Sequence, residues 1–110
     1  MMTLLEQMRR ARADGREQLR MEMLQHLRRA LTVVLPHESV IVFGSILRPG
    51  RFSEYSDVDI ALERDPAMSL YQLISLLSES LGRRVDVLLL PECRFAEKIR
   101  CEGERWTPPA

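Results

Sequence analysis

The chain has 110 residues, of which 45% are hydrophobic and 29% charged, and its 16 basic and 16 acidic side chains cancel. Such a length and composition are typical of one globular domain with one modest core, which excludes a disordered, fibrous or multidomain chain. Zero net charge gives no general attraction to nucleic acid, and no apolar run is long enough to span a membrane.

The first third of the chain is predicted to be helical. Residues 3–13 place apolar side chains on one helical stripe, which consists of Leu4, Leu5, Met8 and Ala11. Asp14 and Gly15 predict a break, because Asp14 with Glu17 three residues later matches a capping box for a second helix that ends near Leu35. Alternatively, Gly15 is tolerated inside one long helix.

Three short apolar runs predict the strands of a small sheet. They are residues 39–43, 57–63 and 84–90. The first run is apolar on both faces, which is typical of a central strand. Between the second and third runs, Ser69 is expected to cap a helix that ends at Leu81, where Gly82 terminates it. Residues 95–101 predict a last short helix, and residues 106–110 are expected to form a tail that is poorly ordered at its end.

These elements predict an α/β (α+β) domain with a small mixed sheet of three or four strands backed by helices. Residues 1–36 are expected to form a helical segment of the same domain as a core at residues 37–110. Cys93 and Cys101 match no metal-binding motif, and the N-terminus lacks the apolar core of a signal peptide. We therefore expect two free thiols in a reducing, cytoplasmic compartment.

Three aspartates stand out as candidates for metal chemistry. Asp57 and Asp59 begin the second strand, where residues two apart lie on one face about 7 Å from each other. Two such carboxylates suit a hard cation such as Mg²⁺. Asp86 lies inside the third apolar run, where a carboxylate is costly unless it is paired or bound to metal. The alternatives are turn and strand-start roles for Asp57 and Asp59, and an ion pair of Asp86 with Arg83 or Arg84.

A glycine–serine turn follows the first strand and suits a phosphate group. Gly44 and Ser45 offer accessible backbone N–H groups and a hydroxyl. Arg48 either contacts phosphate or faces solvent. Ser56 is also assigned to nucleotide binding, although a local cap for neighbouring backbone is the common role of such a serine.

In the type and order of these elements, the chain resembles the minimal nucleotidyltransferases of the DNA polymerase beta superfamily. The resemblance covers residues 38–90. It implies a palm-like nucleotidyltransferase fold, with the nucleotide triphosphate held at the Gly-Ser turn and two Mg²⁺ ions bound by the catalytic aspartates. The residues that carry these roles are Gly44, Ser45, Arg48 and Ser56 for the nucleotide and Asp57, Asp59 and Asp86 for catalysis and metal. One departure is that residues 46–56, between Ser45 and Asp57, are one more than the family usually has.

The resemblance implies transfer of a nucleoside monophosphate, AMP from ATP or that of another NTP, to an acceptor hydroxyl. Short members of the family often act as antitoxins beside a helical HEPN-type partner, so such a partner is one expectation. One alternative is a non-catalytic module of the same fold that binds nucleotide or protein. Another is a homodimer that modifies a small molecule, with the cleft completed by the second copy.

Overall fold

The structure, a computed structural model, describes residues 1–108, and within them it has three α-helices and four strands. In chain order they are α1 Leu4–Val34, β1 Val40–Phe43, β2 Val58–Leu62, α2 Leu70–Leu81, β3 Val85–Leu89, α3 Ala96–Glu102 and β4 Glu104–Trp106. Short 3-10 turns at Ser45–Leu47 and Leu90–Glu92 follow β1 and β3. This arrangement confirms the predicted α+β class.

The four strands form one mixed sheet in the order β3-β2-β1-β4. Strands β2 and β3 are parallel, while β1 runs antiparallel to both β2 and β4. The expectation that the first strand is central is therefore correct. The second neighbour of β1, strand β4, was not located from the sequence, which assigned Trp106 to the tail.

The prediction of a tail from residue 106 is wrong for Trp106, since Glu104–Trp106 pairs with β1. Contacts distant in sequence hold this strand in place. The Arg28 guanidinium lies 4.6 Å from the centroid of the Trp106 ring, and the Trp106 indole N–H donates to Glu104 at 2.8 Å. Beyond the strand, the His37 N–H donates to the Pro108 carbonyl at 3.1 Å. The last two residues of the predicted tail, 109 and 110, lie outside the described residues.

Helix α1 is continuous, so the predicted break at Asp14 and Gly15 is wrong and the single-helix alternative is correct. The capping box lies at Thr3 and Glu6 rather than at Asp14 and Glu17. A glycine inside a helix costs only about 1 kcal/mol relative to alanine, which a helix of this length tolerates. No helix within residues 1–108 has both the length and the apolar character needed to cross a bilayer.

The sheet buries a separate core on each face. Helices α1 and α2 cover one face, where the alternating residues of β1, β2 and β3 point toward them. Those strand residues are Val40, Val42, Val58, Ile60, Leu62, Val85 and Val87. Helix α3 covers part of the other face, where Ile41 and Ala61 pack with Leu90 and Ile99. The candidate carboxylates lie on this second, less covered face.

The predicted helix boundaries around α2 are confirmed. Ser69 caps it by accepting from the Gln72 N–H at 3.1 Å, and Gly82 ends it in the left-handed conformation. Cys93 and Cys101 are both free, as expected.

Candidate functional site

The Gly-Ser turn at the end of β1 brings its backbone directly against a carboxylate of β2. Gly44 has a φ of +84°, a conformation that disfavours any side chain. A Cβ added at Gly44 would lie 2.5 Å from Asp59 Oδ2, so the turn depends on glycine for space as well as for conformation. The predicted phosphate turn and the second aspartate of the D-x-D pattern are therefore neighbours.

Asp59 and Asp86 are adjacent in the sheet. Asp59 pairs in register with Asp86 on one side, across the parallel β2–β3 ladder, and with Phe43 on the other. Paired strands lie about 4.8 Å apart, and residues in register share a face of the sheet. Both carboxylates therefore point to the same side, away from the core beneath α1 and α2. The parallel pairing of β2 and β3 thus brings two of the three candidate carboxylates side by side.

Burial and the negative charges of Asp86 and Asp57 affect the pKa of Asp59. The pKa of the Asp59 carboxyl is raised to about 6, first by partial burial and then by the charges of Asp86 and Asp57, while Arg84 opposes the rise. Asp86 and Asp57 are thus both within electrostatic reach of Asp59. A cation bound among them would offset the repulsive part of this shift.

Arg84 is the cation that lies beside the carboxylates in this structure. Its Nε is 3.2 Å from Asp86 Oδ1 and 3.9 Å from Asp57 Oδ2. The alternative of an ion pair for Asp86 on an edge strand is therefore realised, although the pairing does not separate Asp86 from the other two aspartates.

Three carboxylates match the ligand chemistry that Mg²⁺ prefers, so the residues fit the ion in type. The ligand set is not closed, however. Across residues 1–108, no three acidic, histidine or cysteine side chains lie close enough together to form a ready-made metal site. Asp57 and Asp86 would have to turn from Arg84 toward the ion, and the assignment of the metal ligands stays a prediction.

The other predicted nucleotide residues have mixed surroundings. Ser45 opens the 3-10 turn, and its carbonyl accepts from the Arg48 N–H at 3.0 Å. The exposed Arg48 side chain is 3.8 Å from Glu102 of α3. The Ser56 hydroxyl accepts from the Ser53 N–H at 2.9 Å, which is the local capping role that was the alternative. Of these residues, Gly44 adjoins Asp59, whereas Ser56 stabilises the loop.

A cleft of about 610 Å³ opens beside the turn, between the end of β1 and α3. Its walls are mostly apolar and carry two charged side chains from α3. The residues along it are Phe43, Gly44, Leu47, Arg48, Leu88, Cys93, Phe95, Lys98, Ile99 and Glu102. Because Gly44 borders both the cleft and Asp59, a molecule in the cleft could reach the carboxylates.

Two arginines fix the segment between Gly44 and Asp57, a role that sequence reasoning predicted for neither of them. Arg20 of α1 donates to the Ile46 carbonyl at 3.1 Å and pairs with Glu17. Arg83 donates through one nitrogen to the Ser53 and Ser56 carbonyls at 3.1 and 2.7 Å. The sequence offers no signal for either residue, because each is one arginine among 15 and acts across a long stretch of chain.

A family model described as the nucleotidyltransferase domain matches residues 21–107, which include every element of the site. The chain belongs to this nucleotidyltransferase family. The resemblance drawn from the Gly-Ser turn and the three aspartates is thereby confirmed. The match leaves out the first 20 residues, and with them the N-terminal part of α1.

Among solved structures, this nucleotidyltransferase domain is similar to a crystal structure of a toxin–antitoxin with AMP-PNP. The two are 21% identical with a TM-score of 0.58, over 76% of this chain and 72% of that chain. At this identity the similarity shows the fold. No curated protein matches the chain.

Proposed function

We propose that this protein is a Mg²⁺-dependent nucleotidyltransferase that moves a nucleoside monophosphate, with ATP as the first candidate donor, to an acceptor hydroxyl. The observation that carries the proposal is the contact between the Gly44 backbone and the Asp59 carboxylate, with Asp86 in register beside it. A phosphate held at the turn would lie next to three carboxylates. Positioning of phosphate beside metal-binding carboxylates is how phosphoryl transfer is catalysed.

Each residue has a role in this reaction. The backbone N–H groups at Gly44 and Ser45 would bind the triphosphate, as backbone N–H groups of such turns bind anions. Mg²⁺ held by Asp57, Asp59 and Asp86 would neutralise phosphate charge and hold the reacting oxygens in line. The acceptor oxygen would bond to the α-phosphorus as its bond to the pyrophosphate oxygen breaks. Asp86 would help to remove the acceptor's proton.

We further propose that the acceptor lies on a protein partner, of the helical HEPN type that the family resemblance implies. The similarity to a toxin–antitoxin structure supports a partner chain. The exposed apolar side chains at the start of α1 also support it, since Leu4, Leu5 and Met8 are 73%, 56% and 47% exposed. Such a stripe on a helix commonly packs against another chain.

The position of a radioactive label tests the transfer. Incubation with cell lysate and Mg²⁺ should move label from the α-phosphate of ATP to a product, while label on the γ-phosphate leaves as pyrophosphate. Asp86→Asn should abolish the transfer. Asp65→Asn, the same change at an exposed aspartate outside the site, should leave it intact. Label transfer that is equal in the two variants would contradict the assignment.

The second candidate is a non-catalytic module that binds nucleotide or protein. The ion pairs of Arg84 with Asp57 and Asp86 favour it, because they satisfy those carboxylates without a metal. Nucleotide binding that is unchanged by a chelator, together with no transfer of the α-phosphate label, would support this candidate.

A further inference from the structure

The segment that leads into β2 is held by a single arginine from the neighbouring strand connection. We call residues 51–57 the entry loop, because it delivers Asp57 to the site. Arg83 lies between α2 and β3, and its partners in this loop are 27 and 30 residues away in the sequence. One terminal nitrogen of its guanidinium donates to both the Ser53 and the Ser56 carbonyls, at 3.1 and 2.7 Å.

The same guanidinium packs on an aromatic ring of the entry loop. The Arg83 Cζ lies 4.6 Å from the centroid of the Phe52 ring, and Phe52 is fully buried. A planar guanidinium can stack on a ring and donate in its own plane at the same time, which a lysine ammonium cannot do. The Arg83 guanidinium therefore holds the entry loop at three points, which are the Phe52 ring and the Ser53 and Ser56 carbonyls.

The residues on both sides of Asp57 are hydrogen-bonded to the Arg83–Arg84 dipeptide. On one side is the Ser56 carbonyl, which accepts from Arg83. On the other side the Val58 N–H donates to the Arg84 carbonyl at 3.1 Å. The backbone of Asp57 is thus held against the start of the strand that carries Asp86, which sets the separation between the two carboxylates.

The surroundings of Arg83 differ from those of an ordinary surface arginine. Arg83 is half-buried, and among the described residues its Nε is buried without a hydrogen-bond partner. Leaving such a donor unsatisfied is unfavourable. An apolar side chain would avoid that cost but would leave the two loop carbonyls without a donor.

We propose that Arg83 is a positioning residue for Asp57: it fixes the entry loop so that the Asp57 carboxylate can join Asp59 and Asp86 around a divalent cation. This inference rests on the proposed function, because it assumes that these carboxylates bind the ion. It would also keep Asp57 in place although residues 46–56, which precede it, are one more than the family usually has.

The test is the affinity of the folded protein for Mn²⁺ without nucleotide, measured by electron paramagnetic resonance of the free ion. Arg83→Met keeps the apolar stem but removes both hydrogen bonds to the loop and the charge. Residues that orient metal ligands typically change metal affinity by about 10-fold or more, so the Kd of Arg83→Met should rise by about 10-fold. Arg51→Met is the matched control, since Arg51 is an exposed arginine of the same loop.

Folding is checked by circular dichroism at the titration temperature, because a role limited to stability would not change the affinity of a folded variant. Arg83→Lys keeps the charge and a donor, and its Kd should fall between those of the wild type and Arg83→Met. If Arg83→Met does not fold, Arg83→Lys alone decides, and a Kd above the wild-type value supports the role.

Equal Kd values for the wild type and a folded Arg83 variant would overturn the positioning role while the proposed function stands. An equal loss in Arg51→Met would also overturn it, since any change of charge near the site would then explain the effect. A wild-type protein that binds no Mn²⁺ would instead overturn the proposed function itself.

Discussion

At the scale of single residues, Asp59 occupies a position that is unfavourable for a charge. It is half-buried and faces Asp86 and Asp57, and burial followed by these two charges raises its pKa to about 6. Its unfolded-state value is about 3.9. Between these two values the unfolded chain releases the proton while the folded protein keeps it, so ionisation favours unfolding over this range.

We therefore predict that the metal-free protein loses stability as the pH rises from about 4 to about 6, relative to Asp59→Asn. The asparagine has no charge to bury, so the variant should be the more stable of the two at pH 7. Because Asp59 is partly solvated, the difference should be on the order of 1 kcal/mol, or about 4–8 °C in Tm. Thermal unfolding in a chelator across this pH range measures it.

Equal melting curves for the wild type and Asp59→Asn at pH 7 would contradict the mutual repulsion of the three carboxylates. Addition of Mg²⁺ provides the internal control. It should raise the Tm of the wild type at pH 7 but change that of Asp59→Asn much less, because the variant lacks one of the proposed ligands.

Substitution of Gly44 should have two effects, which are backbone strain from its positive φ and a clash of the new Cβ with Asp59. Gly44→Ala should cost about 1–3 kcal/mol of stability through its positive φ, and it should also weaken Mn²⁺ binding because the new Cβ displaces the Asp59 carboxylate. Gly50→Ala is the matched control, since Gly50 has a φ of +79° but open space around a Cβ. Mn²⁺ titration and chemical denaturation of both variants make the comparison.

The prediction for Gly44 would be contradicted if both alanine variants bound Mn²⁺ equally well. In that case the close approach of the turn to Asp59 would have no consequence for the site.

At the residue scale, the sequence identified the carboxylates of the site and missed the arginines that hydrogen-bond to distant backbone. Asp57, Asp59 and Asp86 could be found because carboxylates inside apolar runs are unusual. Arg83 and Arg20 could not, because their partners are backbone carbonyls at a distance of 26 to 30 residues. Such partners leave no pattern in the sequence.

At the scale of elements, α1 consists of two halves with different surroundings. Its second half packs through Met23, Leu27, Ala30 and Leu31, whereas residues 3–16 are exposed throughout. We call residues 3–16 the N-terminal arm. Isolated helices of about 12–15 residues are marginal in water, so the arm depends on its capping box and on the rest of α1.

We predict that Gly15→Ala strengthens the N-terminal arm. A Cβ at Gly15 meets nothing within 4 Å, and alanine favours helix by about 0.5–1 kcal/mol over glycine. Hydrogen exchange should show slower exchange of the arm amides in the variant, with unchanged exchange around Leu27. Unchanged exchange in the arm would contradict the view that Gly15 is its weak point.

The elements with local signals were predictable, and those that depend on tertiary contacts were not. The helix α2 carries both of its end signals, Ser69 and Gly82, within its own sequence. Strand β4 has only three residues, two of them charged, and it forms because β1 offers a free edge and because Arg28 packs on Trp106. The sequence of α1 suggested a stop at Gly15 that the long helix overrides.

At the scale of the whole molecule, charge is unevenly distributed along a neutral chain. Residues 1–36 carry seven arginines against four acidic residues, while residues 37–110 carry nine basic against twelve acidic residues. The candidate site lies in the acidic part and contains three carboxylates itself. A nucleotide triphosphate should therefore be repelled from the site unless a divalent cation is present.

The measurement that tests the central claim most directly is calorimetric titration of AMP-PNP into the protein with Mg²⁺ and with a chelator. We predict saturable binding in Mg²⁺, no detectable binding in the chelator, and an affinity lower by about tenfold or more in Asp57→Asn/Asp59→Asn. Binding of equal strength in the chelator, or in the double variant, would contradict a nucleotide site built on the three carboxylates beside Gly44.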